Sequence, residues 1–173
     1  MRPFTLPSHD QVLELPALLE GEVTPDFIDG NGHMNIRHYL DAGASGADHL
    51  CRGMGIDDTY RGQRRLGIFT AEHHIRYLAE MHEGRKFSVH TALVARSNRA
   101  AHLLSLIIDR DAEVLSCTVE ILVVGVGMDT RRPADFPDDI ARHMDELVNQ
   151  SDGLSWPLPL SGAMGIRIRS DRS

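Results

Sequence analysis

The segment IRHYLDAGASGADHLCRGM, residues 36–54, decides the fold. Ile36, Tyr39, Leu40, Gly43, Ala47, Leu50, Cys51 and Met54 recur at three- and four-residue steps and mark one face. Arg37, Asp41, Ser45, Asp48 and Arg52 line the other. The spacing predicts one long amphipathic helix. Its middle carries Gly43 and Gly46, each costing about 1 kcal/mol in helix propensity relative to alanine. That cost makes sense where a curved sheet closes on the helix and leaves it only a narrow waist.

Working outward, the residues before the helix suggest one strand and those after it four. Leu18 to Phe27 reads as the first strand, behind a lead-in (1–16) that Pro3, Pro7 and Pro16 keep extended and outside the core. Gly53 to Gly67 reads as turn. Leu66 to Leu78, Phe87 to Ala95, Ala101 to Ile108 and Val114 to Val126 then read as strands with short connections. The last of them is rich in β-branched residues and is expected at the centre of the sheet. After a linker from Arg131 to Asp135, Pro137 opens a short helix with Ile140, Met144 and Leu147 on one face. Consecutive strands on short turns make an antiparallel sheet, so the fold class is α+β with one long helix against about five strands. The domain is expected over 17–148, with a proline- and glycine-punctuated tail over 149–173.

Composition narrows the function. Eighteen basic against 25 acidic residues in a chain of 173 give a net charge of -7, which disfavours a phosphate backbone, so no nucleic-acid partner is expected. No apolar run reaches the ~20 residues that span a bilayer, and the first residues lack the apolar core of a signal peptide. Cys51 and Cys117 cannot build a disulfide framework. A cytoplasmic protein with no membrane partner is expected. Ten histidines invite a metal, but His33 and His38 are five apart, His73 and His74 point to opposite strand faces, and no HExxH or paired CxxC occurs. No metal is expected. Gly43-Ala44-Ser45-Gly46-Ala47 misses the spacing of a nucleophile elbow, and Gly125-Val126-Gly127 lacks the third glycine of a dinucleotide loop.

Chemistry concentrates just before the long helix, in Asp29-Gly30-Asn31-Gly32-His33-Met34-Asn35. A carboxylate here can activate water or attack an acyl carbon, and first-turn amides near Ile36 can hold a developing oxyanion. The same residues also suit a structural role, with Asp29 and Asn31 shaping a tight turn and Asn35 capping the helix. Residue chemistry alone leaves both readings open.

That heptapeptide, followed by His38-Tyr39-Leu40, resembles the signature of hotdog-fold thioesterases of the 4-hydroxybenzoyl-CoA thioesterase type. Ile75-Arg76-Tyr77 and Gly84 match downstream in the same order, and the likeness runs from Leu18 to Leu147. It implies a hotdog domain, an acyl-CoA thioesterase acting on a short or polar acyl group, and a homodimer or homotetramer. No cofactor is implied, because coenzyme A arrives as part of the substrate. Asp29 would be base or nucleophile, the Ile36 backbone amide the oxyanion donor, Asn35 a shaper of the turn, and His33 a loop-orienting or substrate-contacting group, with Asn31 and Gly32 on the substrate side. Many relatives carry a second aspartate where this chain has Phe27. Hotdog enoyl-CoA hydratases place a histidine five residues after their aspartate; His33 is four after Asp29, which disfavours hydration. A non-catalytic acyl-CoA binder is the third alternative.

His33-Met34-Asn35, Glu72 to Leu78 and Asn98 to His102 further resemble the branch tied to carnitine breakdown, which includes betainyl-CoA thioesterases. A trimethylammonium acyl group would favour aromatic faces. Tyr39, Tyr60, Phe69 and Tyr77 are the candidates, alongside ordinary core roles for each. Glu72 shares a strand face with His74 and Arg76, which is either a substrate-facing or a partner-facing edge. Lys86 is the one lysine, and among the 17 arginines Arg61, Arg64 and Arg65 cluster after the long helix, a patch suited to CoA phosphates.

Overall fold

Gly43 and Gly46 sit where the long helix touches the sheet. In the computed structural model, which describes residues 5–166, a Cβ on Gly43 would lie 2.6 Å from Val119 Cγ2, and one on Gly46 2.5 Å from Val89 Cγ1. The waist expected from sequence is therefore a contact surface. This helix, α2 (Ile36–Gly53), follows α1 (His9–Val12), β1 (Ala17–Glu22) and a 3-10 turn (Pro25–Phe27). After it come α3 (Asp58–Arg64), β2 (Leu66–Tyr77), β3 (Lys86–Arg96), β4 (Ala100–Asp109), β5 (Val114–Gly127) and α4 (Asp138–Asp152).

The sheet runs in the order β1-β3-β4-β5-β2, antiparallel throughout. Two hairpins make the β3-β4-β5 core, β1 adds beside β3, and β2 closes the far edge beside β5. This is the expected hotdog architecture, with β5 an interior strand between β4 and β2. β-branching reports burial, and β5 is buried because β2 covers its outer side.

β3, β4 and β5 alternate between two buried faces. Val89, Leu103, Val119 and Ile121 pack beneath α2, together with Ile140 and Met144 from α4. The opposite face carries Ala92, Leu104, Leu106 and Ile108, and it is closed by Val12 and Leu15 from one end of the chain and Trp156 from the other. Both faces being covered explains why β4 reads as a nearly continuous apolar run.

Four local expectations need correcting. From Ser8 to Leu15 the lead-in is neither extended nor outside the core. Ser8 caps α1 in a capping box with Gln11, and Val12 is fully buried. The first strand ends at Glu22, because Pro25 starts a 3-10 turn. The supposed turn from Gly53 to Gly67 contains α3, capped by the Asp57 side chain and stopped by Arg65 in the left-handed region. Pro137 is the N-cap of α4 and not its first helical residue, and α4 runs to Asp152, so a tail beginning at 149 would start inside a helix. Pro3 and residues 167–173 lie outside the described residues. Among the described residues no helix is long and apolar enough to cross a membrane.

Candidate active site

The loop between the 3-10 turn and α2 is held by its own side chains. Asp29 Oδ1 accepts from the Asn31 N–H at 2.8 Å, closing an Asx turn, while Oδ2 accepts from Asn35 Nδ2 at 3.2 Å. Asn35 also caps α2 by accepting the Arg37 N–H at 3.1 Å. The turn and the helix cap of the structural reading are thus both formed, and Asn35 links Asp29 to the start of α2. Gly32 has φ +83, a conformation that a Cβ would strain, which is why glycine stands there.

Three bonds fasten the loop and the first turn of α2 to residues 81–82, beyond β2. The Met34 N–H donates to the Met81 carbonyl at 2.8 Å, the Met81 N–H to the Tyr39 hydroxyl at 3.0 Å, and His82 Nδ1 to the Gly32 carbonyl at 3.2 Å. Tyr39 is buried and its hydroxyl also points at the Ala79 carbonyl, 3.5 Å away. Burial raises the Tyr39 phenol pKa, so it stays a neutral hydrogen-bonding group.

Between these two segments lies a pocket of about 340 Å³. His33, Met34, Ile36 and Tyr39 form one wall; Tyr77, Leu78, Ala79 and Glu80 form the other. The Tyr39 and Tyr77 rings meet edge to face, with centroids 5.5 Å apart. His33 Nε2 stands 3.8 Å from the Glu80 carboxylate, and its Nδ1 donates to the Met34 carbonyl at 3.3 Å. At the rim the first turn of α2 offers an amide. The Arg37 N–H is taken by the Asn35 side chain and that of His38 by the Asn35 carbonyl, while the Ile36 N–H has no acceptor among the described residues.

Of the residues singled out from sequence, His33, Ile36, Tyr39 and Tyr77 line this pocket. Asp29, Asn31, Gly32 and Asn35 form the loop behind it. Others lie elsewhere in the chain. Tyr60 is buried in the core from α3, with the Arg64 guanidinium over its ring. Phe69 is exposed on β2 beneath Arg131. Glu72 and His74 are on the sheet face away from α2: His74 is opposite Glu120, which His102 Nε2 holds at 3.1 Å under the C-terminal segment. Phe27 stacks flat on His38, with centroids 4.0 Å apart.

The arginine cluster is not a free patch. Arg64 binds Asp139 through both terminal nitrogens, at 2.8 and 2.7 Å, Arg65 is paired with Asp129, and Arg61 with Asp58 at 3.1 Å. It also follows the C-terminal end of α2, and 18 residues at 1.5 Å put the two ends ~27 Å apart. Neither cysteine offers a nucleophile, since burial pushes both thiols up to about 12. Among the described residues no group of three or more His, Cys, Asp or Glu could hold a metal ion.

Sequence reasoning missed Ala79 and Glu80. They follow the end of β2 and carry no motif; only the strand order, which brings that end beside the Asp29 loop, reveals them.

Comparison with known proteins gives the following. Residues 23–144 match the family model of the thioesterase-like superfamily. A Ruegeria pomeroyi protein named L-carnitine dehydrogenase/betainyl-CoA thioesterase is 32% identical over 91% of this chain, which spans only about a third (32%) of that protein's length. The Pseudomonas aeruginosa betainyl-CoA thioesterase is 26% identical, covering 85% of this chain and 92% of its own. Among solved structures, a Staphylococcus aureus protein in complex with CoA superposes with a TM-score of 0.78 at 24% identity, covering 88% of this chain and 97% of its own. A 1,4-dihydroxy-2-naphthoyl-CoA thioesterase from Synechocystis superposes with a TM-score of 0.66 at 15% identity, over 75% and 95%.

Proposed function

The chain belongs to the thioesterase-like superfamily, and from that premise we propose that it hydrolyses an acyl-CoA whose acyl group is short and cationic, betainyl-CoA being the model substrate. The observation that carries the reading is the Ile36 N–H at the pocket rim, one residue from the asparagine that holds Asp29. The thioester carbonyl oxygen sits on that amide and the acyl group enters between the two walls. Asp29 takes a proton from water as the water oxygen bonds to the carbonyl carbon. The C–S bond then breaks, and the CoA thiolate leaves to be protonated. In the nucleophilic variant, Asp29 forms the new bond itself and water opens the resulting anhydride. No further cofactor is required by either route. Removing a general base typically costs 10²–10⁴ in rate, and an oxyanion donor is worth ~2.7–4 kcal/mol.

A homodimer formed along β2 is part of the proposal. Its support is the length of that edge strand and the exposure of Phe69, Glu72 and His73 on it. Arg61, Arg64 and Arg65 would receive CoA phosphates only by giving up their aspartates. The reaction is placed in the cytoplasm, where CoA thioesters are kept.

The test is release of free thiol from a panel of acyl-CoAs, with Asp29→Asn alongside. Loss of at least a hundredfold in the variant is expected. Full activity in Asp29→Asn overturns the mechanism, and consumption of an enoyl-CoA without thiol release would replace hydrolysis by hydration.

A further inference from the structure

We propose that Glu80 is the specificity-determining residue of this pocket, its carboxylate supplying the counter-charge to a quaternary ammonium at the end of the acyl group. The inference rests on the hydrolase reading above and adds to it the residue that selects the substrate.

Most of the pocket's lining is apolar, and Glu80 is its one acidic residue. A carboxylate held there has little local reason to exist: its contact is His33 Nε2 at 3.8 Å, too long for a hydrogen bond, and its side chain is 65% exposed. Its backbone, by contrast, is fixed. The Tyr39 hydroxyl reaches the carbonyl of the residue before it and accepts from the N–H of the residue after it, so Glu80 is presented from a clamped chain. Beside it Tyr77 is half exposed, and the Tyr39 ring stands nearly perpendicular to it, at 78°. A trimethylammonium group has no N–H to donate. It is recognised by the faces of aromatic rings and by negative charge that no closer cation has claimed, and this pocket offers both. A neutral acyl group of the same shape would fill the same space and gain nothing from the carboxylate.

The experiment compares betainyl-CoA with tert-butylacetyl-CoA, its uncharged carbon isostere, in the full chain. Wild-type protein should favour the cation, and Glu80→Gln should cut the ratio of the two kcat/KM values roughly tenfold, mostly through KM for betainyl-CoA. Glu80→Asp keeps the charge and should recover part of the ratio. Binding is measured separately by calorimetry in an Asp29→Asn background, with and without Glu80→Gln, so that turnover is not needed for the readout. An unchanged ratio in Glu80→Gln, or equal hydrolysis of both thioesters by wild type, overturns the role of Glu80 and leaves the hydrolase reading in place. Absence of thiol release from either, with betainyl-CoA binding still weakened by Glu80→Gln, has the opposite meaning: Glu80 recognises the cation and the hydrolase reading fails.

Discussion

Asn35 does two jobs through two atoms. Its Oδ1 caps α2 and its Nδ2 holds Asp29, and these can be separated. Asn35→Ser keeps an oxygen that can accept the Arg37 N–H, so thermal stability should change by no more than a few tenths of a kcal/mol. The same change deletes the donor to Asp29, and kcat should fall about tenfold, the worth of a hydrogen bond to a charged group. Equal losses of stability and kcat in thermal melts and thiol-release assays would mean that Asn35 merely folds the loop. Gly32 makes the complementary case. With φ at +83, Gly32→Ala forces a side chain into the left-handed region and should cost about 1–2 kcal/mol. The motif around Asp29 was legible because its chemistry is local. Glu80 was not, because its partners Tyr39 and His33 lie some forty residues upstream and nothing in its own neighbourhood marks it.

At the scale of elements, α2 and the sheet are matched without spare room. Gly46→Ala places a methyl group 2.5 Å from Val89, inside a face where nothing is free to yield, and overpacking of this kind costs about 1–3 kcal/mol. A lower denaturation midpoint at unchanged m-value would register it. The two glycines announced that contact because they recur within an otherwise apolar stripe. The seven residues of α3 gave no such notice: two turns are too few for a period, and Gly62 and the flanking Gly55 and Gly67 read as turn. Its surviving signals were Asp57 as cap and Tyr60, whose burial needs a helix to deliver it. Val12 and Leu15 were illegible for a different reason, since the face they cover is made by β3, β4 and β5, far along the chain.

Across the whole molecule, the sheet face away from α2 is sealed by the two chain ends, and buried titratable groups pin both. His90 Nδ1 donates to the Leu15 carbonyl at 2.8 Å, and its Nε2 lies 2.9 Å from the Ser88 hydroxyl, an arrangement suited to the neutral ring. Desolvation lowers its pKa below the ordinary value near 6.5, outweighing the hydrogen bond to Leu15. The unfolded chain therefore takes up a proton that the folded one resists. Stability from this group is present above about 6.5 and declines as pH falls below it. Glu120 behaves in the usual carboxylate sense. Burial would raise its pKa, but the hydrogen bonds from His102 and the Ser161 N–H prevail and lower it. Its contribution holds above the ordinary value near 4.5 and disappears as pH drops through the lowered one. Denaturant melts at successive pH values should thus show two acid-side losses, with His90→Gln removing the first. Glu120→Ala, which leaves His102 Nε2 without its buried hydrogen-bond partner, should cost about 1–3 kcal/mol. The short clamp at residues 79–82 has a consequence of another kind. Its amide protons at Met34 and Met81 are bonded across the gap between the acid-bearing loop and the pocket wall, so they exchange with solvent only when that gap opens. A molecule seated between the walls would slow both protons together, giving this chain a built-in occupancy gauge that deuterium can read on a compound it never cleaves.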